Sequence, residues 1–424
     1  MAKPGQKHEK HSAQARPGLA AKRASKREVA LDQAARLFNE RGIASTGIAD
    51  VAAAMQVTRA ALYYYFDERD DLVFQTYERA CQIAAGDLEA ADEDGGNGLQ
   101  KTLAFARRAL TPERTPVAVL SEVEHLKPAQ RQIIARAAAR NTRALRGFIE
   151  RGVEDGSIRP CDAEAMAQTI TGFVSWIQIT PTWLNSQETE QRARDSVQVL
   201  ELLRRGVGAP GVQVPPVHVD VNELRTHYDN LFDRDAAAAA KIETLLATAS
   251  RLFGRRGIDG VSLDDITAEL GATKGALYHY FEDKTDLVRG CYERAFDLYD
   301  AITARAEKLG QTGLEQTVIG VHLNTQAQAG SLSPLAPLAG LRGLPDDLRD
   351  SLNARATRIS KRYEAMGRRG VKDGTLNIDD IQAAARSGAG LFAWIPKWRR
   401  ENDALSARAL GDEVVRLYVR GLAA

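Results

Sequence analysis

The sequence predicts an all-α protein built from two copies of one unit. Three observations carry that expectation. Residues 38–80, FNERGIASTGIADVAAAMQVTRAALYYYFDERDDLVFQTYERA, align without a gap on residues 253–295, FGRRGIDGVSLDDITAELGATKGALYHYFEDKTDLVRGCYERA, at an offset of 215, with close to half the positions identical. A repeat of that length marks two copies of a whole structural unit. Aromatic residues make up only 6% of the 424 residues and alanine is abundant, which favours helix over sheet. Apolar residues at helical spacing alternate with Gly and Pro breaks, and no stretch reads as a convincing strand.

Composition narrows the function classes. Apolar residues at 44% suffice for real cores, and the length suggests two to four domains. With no apolar run of about 18 residues, no membrane span is expected. The basic, polar N-terminus has no apolar h-region, so no secretory signal is expected. Cys81, Cys161 and Cys291 lack metal-ligand spacing and fit a reduced cytosolic protein. The net charge of +1 is unevenly spread: residues 1–27 hold eight basic residues against Glu9 alone, a net +7, leaving −6 on the remainder. A basic arm on a mildly acidic body suits contact with a polyanion; the other reading is a solvated tail.

In chain order, residues 1–24 are rich in Lys, Gly, Pro, Ser and His and read as a disordered basic arm. Ser25 and Glu28 form a capping-box pattern, so a helix is expected from Ser25, closed by Gly42 as a C′ glycine. Residues 25–70 form a first head and 71–206 a helical body broken at Gly95, Pro112, Pro128, Gly156 and Pro181. Residues 207–239, rich in Pro, Gly and Val at first, read as a linker with a short amphipathic helix on Val221, Leu224, Tyr228 and Leu231. The second head then spans 240–285 and the second body 286–424. Weaker repeats extend the duplication to the bodies: residues 151–158 match 369–376, and 172–177 match 390–395, at an offset of 218.

The heads carry the chemistry. In the second, Ser262 and Asp265 cap a short helix, Gly271 supplies a tight turn, and Thr273 caps a helix beginning Lys274-Gly-Ala-Leu-Tyr278. Small residues at its start permit close approach in a major groove about 12 Å wide. Lys274 can reach base edges or phosphate, Tyr278, His279 and Tyr280 suit phosphate oxygens, and Lys284 opens the next helix. The first head repeats the design with Thr58, Arg59, Ala60, Ala61, Tyr63, Tyr65 and Arg69, and Arg59 can bind guanine bidentately. Thr46 and Ser262 complete the candidate DNA contacts, and Gly275 and Ala276 form the second head's close-approach surface. Leu62, Phe66, Leu277 and Phe281 read as core. Gln56 stands where the turn glycine is expected, so that turn is either strained or wider.

Residues 270–284, LGATKGALYHYFEDK, and their counterpart in the first head resemble the DNA-binding domain of the TetR family of transcriptional regulators. The resemblance implies two TetR-like units, covering 25–206 and 240–424, each an N-terminal three-helix helix-turn-helix domain plus a C-terminal helical ligand-binding and dimerisation domain. It implies a cytoplasmic, nucleoid-associated bacterial repressor that binds a double-stranded DNA operator and is relieved by a small-molecule effector. Differences between Arg59-Ala60-Ala61 and Lys274-Gly275-Ala276 imply related but unequal half-sites, read by helices 58–65 and 273–280. Family members dimerise through their last two helices, which here means 163–181 with 188–205 and 379–398 with 404–422. Trp176, Trp183, Trp394 and Trp398 lie in or beside them and read as interface or core anchors. An intramolecular pseudo-dimer is the simplest arrangement; a homodimer of chains is the other. Residues 338–345 and 390–400 are similar to a branch that senses acyl-CoA thioesters, which puts Lys397, Arg399 and Arg400 near a CoA phosphate, against a solvated basic helix end as the plain reading. No enzyme motif, metal-ligand set or cofactor loop is found, and His125 and His322 read as structural or exposed. The competing readings are a protein in which only the second head binds DNA, and a co-regulator that binds a protein partner.

Overall fold

The computed structural model describes residues 17–112, 114–179, 189–225, 234–336, 344–400 and 403–424. Among these there is no β-strand, only two isolated bridges. No helix in them is long and apolar enough to cross a membrane. The first half comprises α1 (Pro17–Arg41), α2 (Ile48–Ala54), α3 (Arg59–Leu62), α4 (Arg69–Glu93), α5 (Gly98–Leu110), α6 (Pro128–Glu154), α7 (Ala163–Ile179) and α8 (Thr189–Arg205). The second comprises α9 (Arg234–Arg256), α10 (Leu263–Leu270), α11 (Lys274–Tyr278), α12 (Lys284–Leu309), α13 (Gly313–Ala329), α14 (Asp346–Lys372), α15 (Ile381–Ser387), α16 (Ile395–Trp398) and α17 (Ala407–Arg420).

Each head folds around the apolar stripe expected from its spacing. In the first, Leu31, Ala34 and Phe38 of α1 meet Ile48 and Val51 of α2, Leu62, Phe66 and Tyr77. In the second, Leu245, Ala249 and Phe253 meet Ile266, Leu277, Phe281 and Tyr292. The start of α1 differs from expectation. The helix begins at Pro17, whose fixed φ suits a first helical position, and the Leu-Ala-Ala-Lys-Arg-Ala run after Gly18 holds good helix formers. Residues 17–24 of the expected arm are therefore helical, and 1–16 lie outside the described residues. Gly42, at φ +79°, closes α1 as expected.

The linker is also less of a tether than its composition suggests. Residues 207–225 are laid on the second half, with Val217 and Val221 buried. Arg408 donates to Val217 O at 2.6 Å, and Gln326 both receives Val221 N at 3.1 Å and donates to Val219 O at 3.1 Å. Spaced two apart, the valines place their side chains on one face of an extended segment. Val221–Leu224 is a single 3-10 turn, while Tyr228 and Leu231 lie outside the described residues. Gln326 also donates to His322 Nδ1 at 2.8 Å, and His322 Nε2 lies 3.0 Å from Asp412. Burial lowers the pKa of this enclosed imidazole, and because Nδ1 accepts from Gln326, Nε2 is the donor to Asp412.

The two bodies share one core, which runs from Leu88 to Val217 and from Leu314 to Leu422. Their contacts recur in pairs related by the offsets of the repeat. Val207 N donates to Tyr418 O at 2.8 Å and Leu422 N to Leu203 O at 2.8 Å. Gly208 N donates to Val419 O at 3.0 Å and Ala423 N to Arg204 O at 3.1 Å. Asn377 N donates to Val207 O and Arg159 N to Leu422 O. The two bridges, Ile158 with Ala423 and Gly208 with Leu376, are a pair of the same kind. Reciprocal contacts of this type are the signature of a two-fold arrangement, here approximate and within one chain. The repeated glycines Gly172 and Gly390 lie at one close contact of the bodies: a Cβ on Gly172 would sit 2.9 Å from Gly390 O.

The symmetry is broken in one element. The first body has a continuous α7, whereas residues 379–398, expected as one helix, divide into α15, a 3-10 turn at Gly388–Leu391 and α16. Gly388 and Gly390 weaken helix continuity there, and Pro396 can only sit in a first turn.

Candidate nucleic-acid interface

In each head a short helix is held at its N-terminus by a threonine cap. Thr58 Oγ1 accepts from Ala61 N and Thr273 Oγ1 from Ala276 N, both at 3.3 Å. The buried leucines Leu62 and Leu277 turn the opposite face outward. On it, Thr58, Arg59, Ala60 and Tyr63 of the first head are exposed, as are Thr273, Lys274, Gly275, Ala276, Tyr278 and His279 of the second. Ala61, Tyr65 and Tyr280 are half-buried. Tyr65 packs edge-on against Tyr64, and Tyr280 likewise against His279. Tyr64 is 54% exposed, more open than Tyr65, and the offset of 215 pairs it with the exposed His279.

The two faces differ electrostatically. Lys274 Nζ lies 2.7 Å from Asp264, with both side chains more than half exposed. Such a surface pair contributes about 0–1 kcal/mol, so a phosphate can displace it. The first head has Ala49 at the position of Asp264, and among the described residues Arg59 forms no ion pair. Gly275 is not required by packing, since an added Cβ would meet nothing nearer than Thr273 Oγ1 at 3.9 Å. Ala60 occupies the same place in the first head without conflict.

Several expected contacts are committed elsewhere. Thr46 is buried, its hydroxyl donating to Gly42 O at 2.8 Å. In register it matches the buried Val261, while Gly47 matches Ser262. Ser262 is exposed, but its hydroxyl bonds Asp265 in the cap. Arg69 folds back to donate to Thr46 O at 3.0 Å and to Ile43 O, because the loop between α1 and α2 leaves carbonyls that need donors. Lys284 is half-buried near Asp259 and Asp265, and desolvation lowers its pKa.

A buried charged node joins the heads. Glu122, 3% exposed, accepts from Ile43 N at 2.7 Å and lies against both Gly42 and Gly257, the glycines that end α1 and α9. Burial raises its pKa. Lys397 is partly exposed as a residue, but its ammonium is enclosed, donating to Ser121 O and to Arg255 O at 3.4 Å. Burial lowers its pKa to about 8, opposed by the Glu122 carboxylate. Lys397, expected near a ligand phosphate, thus has its ammonium engaged by backbone carbonyls while it also lines a cavity of the first body. Arg399 is engaged too, donating to Leu405 O, while Arg400 is exposed. His125 and Asp259 bring ligand atoms within 4.8 Å of Glu122 and of one another. The ammonium of Lys397 beside Glu122 opposes a cation at this cluster.

Where the bodies meet, Trp176 Nε1 donates to Arg386 O at 2.9 Å, and Arg386 makes a close ion pair at 2.6 Å with Asp195. Trp394 is buried and Trp398 half-buried. Trp183 lies outside the described residues, as does most of 338–345. Two cavities flank this contact. That of the first body, about 580 Å³, is closed by Trp394 and Trp398 of the second body and ringed by Arg114, Arg131, Arg143 and Arg400. That of the second body, about 160 Å³, includes Trp176 of the first in its wall.

Comparison with known proteins gives one consistent result. The model of the tetR family of bacterial regulatory proteins matches residues 30–76 and again 245–291. That of the tetracyclin repressor-like C-terminal domain matches 99–207 and again 315–422. The HTH-type transcriptional repressor KstR2 of Rhodococcus jostii is 25% identical over 193 residues, covering 44% of this chain and 94% of that protein. The HTH-type transcriptional regulator AcrR of Shigella flexneri is 27% identical over 194 residues, covering 41% of this chain and 86% of that protein. A crystal structure of AibR in complex with isovaleryl coenzyme A and operator DNA aligns with a TM-score of 0.37 at 23% identity, over 42% of this chain and 97% of that one.

Proposed function

From the chain's membership of the TetR family of bacterial regulatory proteins, carried here as two units in tandem, we propose that it is a cytoplasmic DNA-binding repressor in which one chain supplies both heads to a single operator. The carrying observation is that the recognition-helix face is exposed in both copies but differs in residue, Arg59-Ala60-Ala61 against Lys274-Gly275-Ala276. Arg59 reads a guanine, Lys274 a base edge or phosphate, and Tyr63 and Tyr278 hold the backbone. The half-sites are therefore related and unequal. Thr46 and Arg69 act by shaping the first head and not by touching DNA. No catalytic role is assigned.

The pairing of the bodies within one chain is supported by Asp195 and Arg386. By the repeat offsets, the counterpart of Asp195 is Leu410 and that of Arg386 is Gln168. Two first bodies pairing would set a buried Asp195 against Gln168, and two second bodies would set Arg386 against Leu410. An unpaired buried charge costs about 3–5 kcal/mol, so pairing of unlike bodies is favoured over pairing of twins.

An effector that releases the DNA is assigned to the first-body cavity. Arg114 and Arg131 in its wall are paired with Asp87 and Glu124, but Arg143 and Arg400 form no ion pair among the described residues. These two suit a ligand with anionic groups, for which an acyl-CoA thioester is the candidate. Calorimetry with acyl-CoAs that shows neither binding nor loss of operator affinity removes this part of the proposal.

The DNA reading is tested by gel shift on the gene's own upstream region. Arg59→Ala and Lys274→Ala are each expected to weaken binding about tenfold or more, as loss of one base-edge contact does. Loss only with Lys274→Ala means that the second head alone reads DNA. No shift of any genomic fragment by the intact protein favours a protein partner.

A further inference from the structure

The glycines that end α1 and α9 are equivalent in the two heads, and one side chain of the first body serves both. Gly42 and Gly257 are related by the offset of 215 and hold φ at +79° and +83°. A Cβ on Gly42 would meet Glu122 Oε2 at 3.3 Å, and one on Gly257 would meet Glu122 Cγ at 3.1 Å. A residue that touches equivalent points of two copies lies close to the axis that relates them. The two helices are gripped differently around it. In α1, Asn39 donates from Nδ2 to Val117 O and accepts from Val119 N through Oδ1, both at 2.9 Å. Its counterpart in α9 is Gly254, where Pro396 of the second body packs 3.4 Å from the place of a Cβ. Ile43 N donates to Glu122 at 2.7 Å. Lys397 donates to Arg255 O and Ser121 O, so its charge sits at the carbonyl end of α9 and ties that end to the residue beside Glu122. Val119 of the first body lies in the same apolar cluster as Leu252 and Phe253 of the second head. Among the described residues, the core of the first head takes its body residues from the first body alone. Residues 117–122 thus form a wedge between the heads, held to the first by hydrogen bonds and to the second by packing.

We propose that Glu122 is the positioning residue that fixes the separation of the two heads, and with it the half-site spacing that the protein accepts. Its carboxylate accepts from the first head, and its stem fills the gap to the second. Each base pair added between half-sites moves one of them by about 3.4 Å along the duplex and turns it by about a tenth of a turn. Heads joined loosely can follow that movement; heads seated on one buried side chain cannot. The specificity set here is for spacing and not for bases. The link to spacing rests on the proposed reading of DNA by both heads, whereas the fixed separation does not.

The separation is measured first on the full-length protein without DNA, by electron spin resonance between labels on Ala53→Cys and Ala268→Cys, equivalent exposed positions of α2 and α10. Cys161→Ser removes the half-buried thiol, and Cys81 and Cys291 are buried. A narrow distance distribution is expected in the parent and in Glu122→Gln, which keeps an acceptor for Ile43 N and the bulk between the glycines. Glu122→Ala loses both and should widen the distribution about twofold or more. If Glu122→Ala does not fold, Lys397→Met, which frees the end of α9 from Ser121, carries the same expectation. Gel shifts then compare duplexes whose half-sites stand at their own spacing or one or two base pairs nearer or farther. The parent and Glu122→Gln should prefer their own spacing about tenfold or more, and Glu122→Ala about threefold or less. Arg59→Ala should weaken binding alike at every spacing. A distribution unchanged in Glu122→Ala and Lys397→Met overturns the proposal, as does an unchanged spacing preference beside a widened distribution. No shift by the parent at any spacing removes the DNA reading and the spacing preference with it, while the distance distribution alone decides the fixed separation.

Discussion

Gln56 holds its backbone at φ +56°, beside φ +61° for its counterpart Gly271. The turn keeps its shape, and the glutamine bears a left-handed conformation that costs a residue with a Cβ about 1–2 kcal/mol. An added Cβ on Gly271 meets nothing within 4 Å, so the cost at this position is conformational and not steric crowding. Part of it is offset because glycine loses more entropy on folding. Gln56→Gly should therefore stabilise the first head by about 0.5–1 kcal/mol net, read as a rise in the urea midpoint; an unchanged or lower midpoint would show that the strain is absent. A second prediction concerns Glu122 and Lys397. Lys397→Met removes the cation whose charge reaches the buried Glu122 and leaves Ser121 O without its donor, so it should cost about 1–3 kcal/mol, while the double variant with Glu122→Gln should recover part of that loss. Additive losses would mean that the two groups do not interact. The exposed face of each recognition helix was legible from the sequence because cap, small residues and apolar spacing lie within a few positions. The roles of Thr46 and Arg69 were not, because both answer to carbonyls in a loop whose path depends on the packing of α1 against α2. Glu122 was invisible for the same reason: its partners lie in α16 and at the ends of α1 and α9.

Among the helices, the pair Gly172 and Gly390 permits one of the close approaches between the bodies. A Cβ on Gly172 would lie 2.9 Å from Gly390 O and 3.0 Å from Trp394 Cβ, and one on Gly390 would lie 2.7 Å from Phe173 Cδ1. Gly172→Val should therefore force the bodies apart and cost several kcal/mol, within the range for overpacked cores. Differential scanning calorimetry checks this: a large fall in transition temperature is expected, whereas a transition as in the parent protein would show that the contact yields freely. The order and type of the helices followed from periodicity and from Gly and Pro punctuation. Two elements departed from it. The second body's penultimate helix is broken at Gly388–Leu391, where two glycines weaken a pattern whose apolar spacing alone reads as continuous. The linker binds the second half through Val217, Val219 and Val221, which a count of Pro and Gly hides.

At the scale of the whole molecule, the duplication accounts for both the likeness and the asymmetry. Paired backbone contacts at the offsets of the repeat join the bodies as two copies, and the Asp195–Arg386 pair makes them unlike copies. The repeat in the sequence made two units legible. Their mutual fit was not, since it depends on which of the drifted residues face each other. On the proposed function, one chain with two exposed recognition-helix faces is a complete operator-binding unit, free to read an asymmetric site. Native mass spectrometry of the protein on a single operator duplex, taken from a footprint of its upstream region, tests this most directly. One 46.3 kDa chain per duplex, with both half-sites protected, is the expected result; two chains per duplex, one on each half-site, would contradict it.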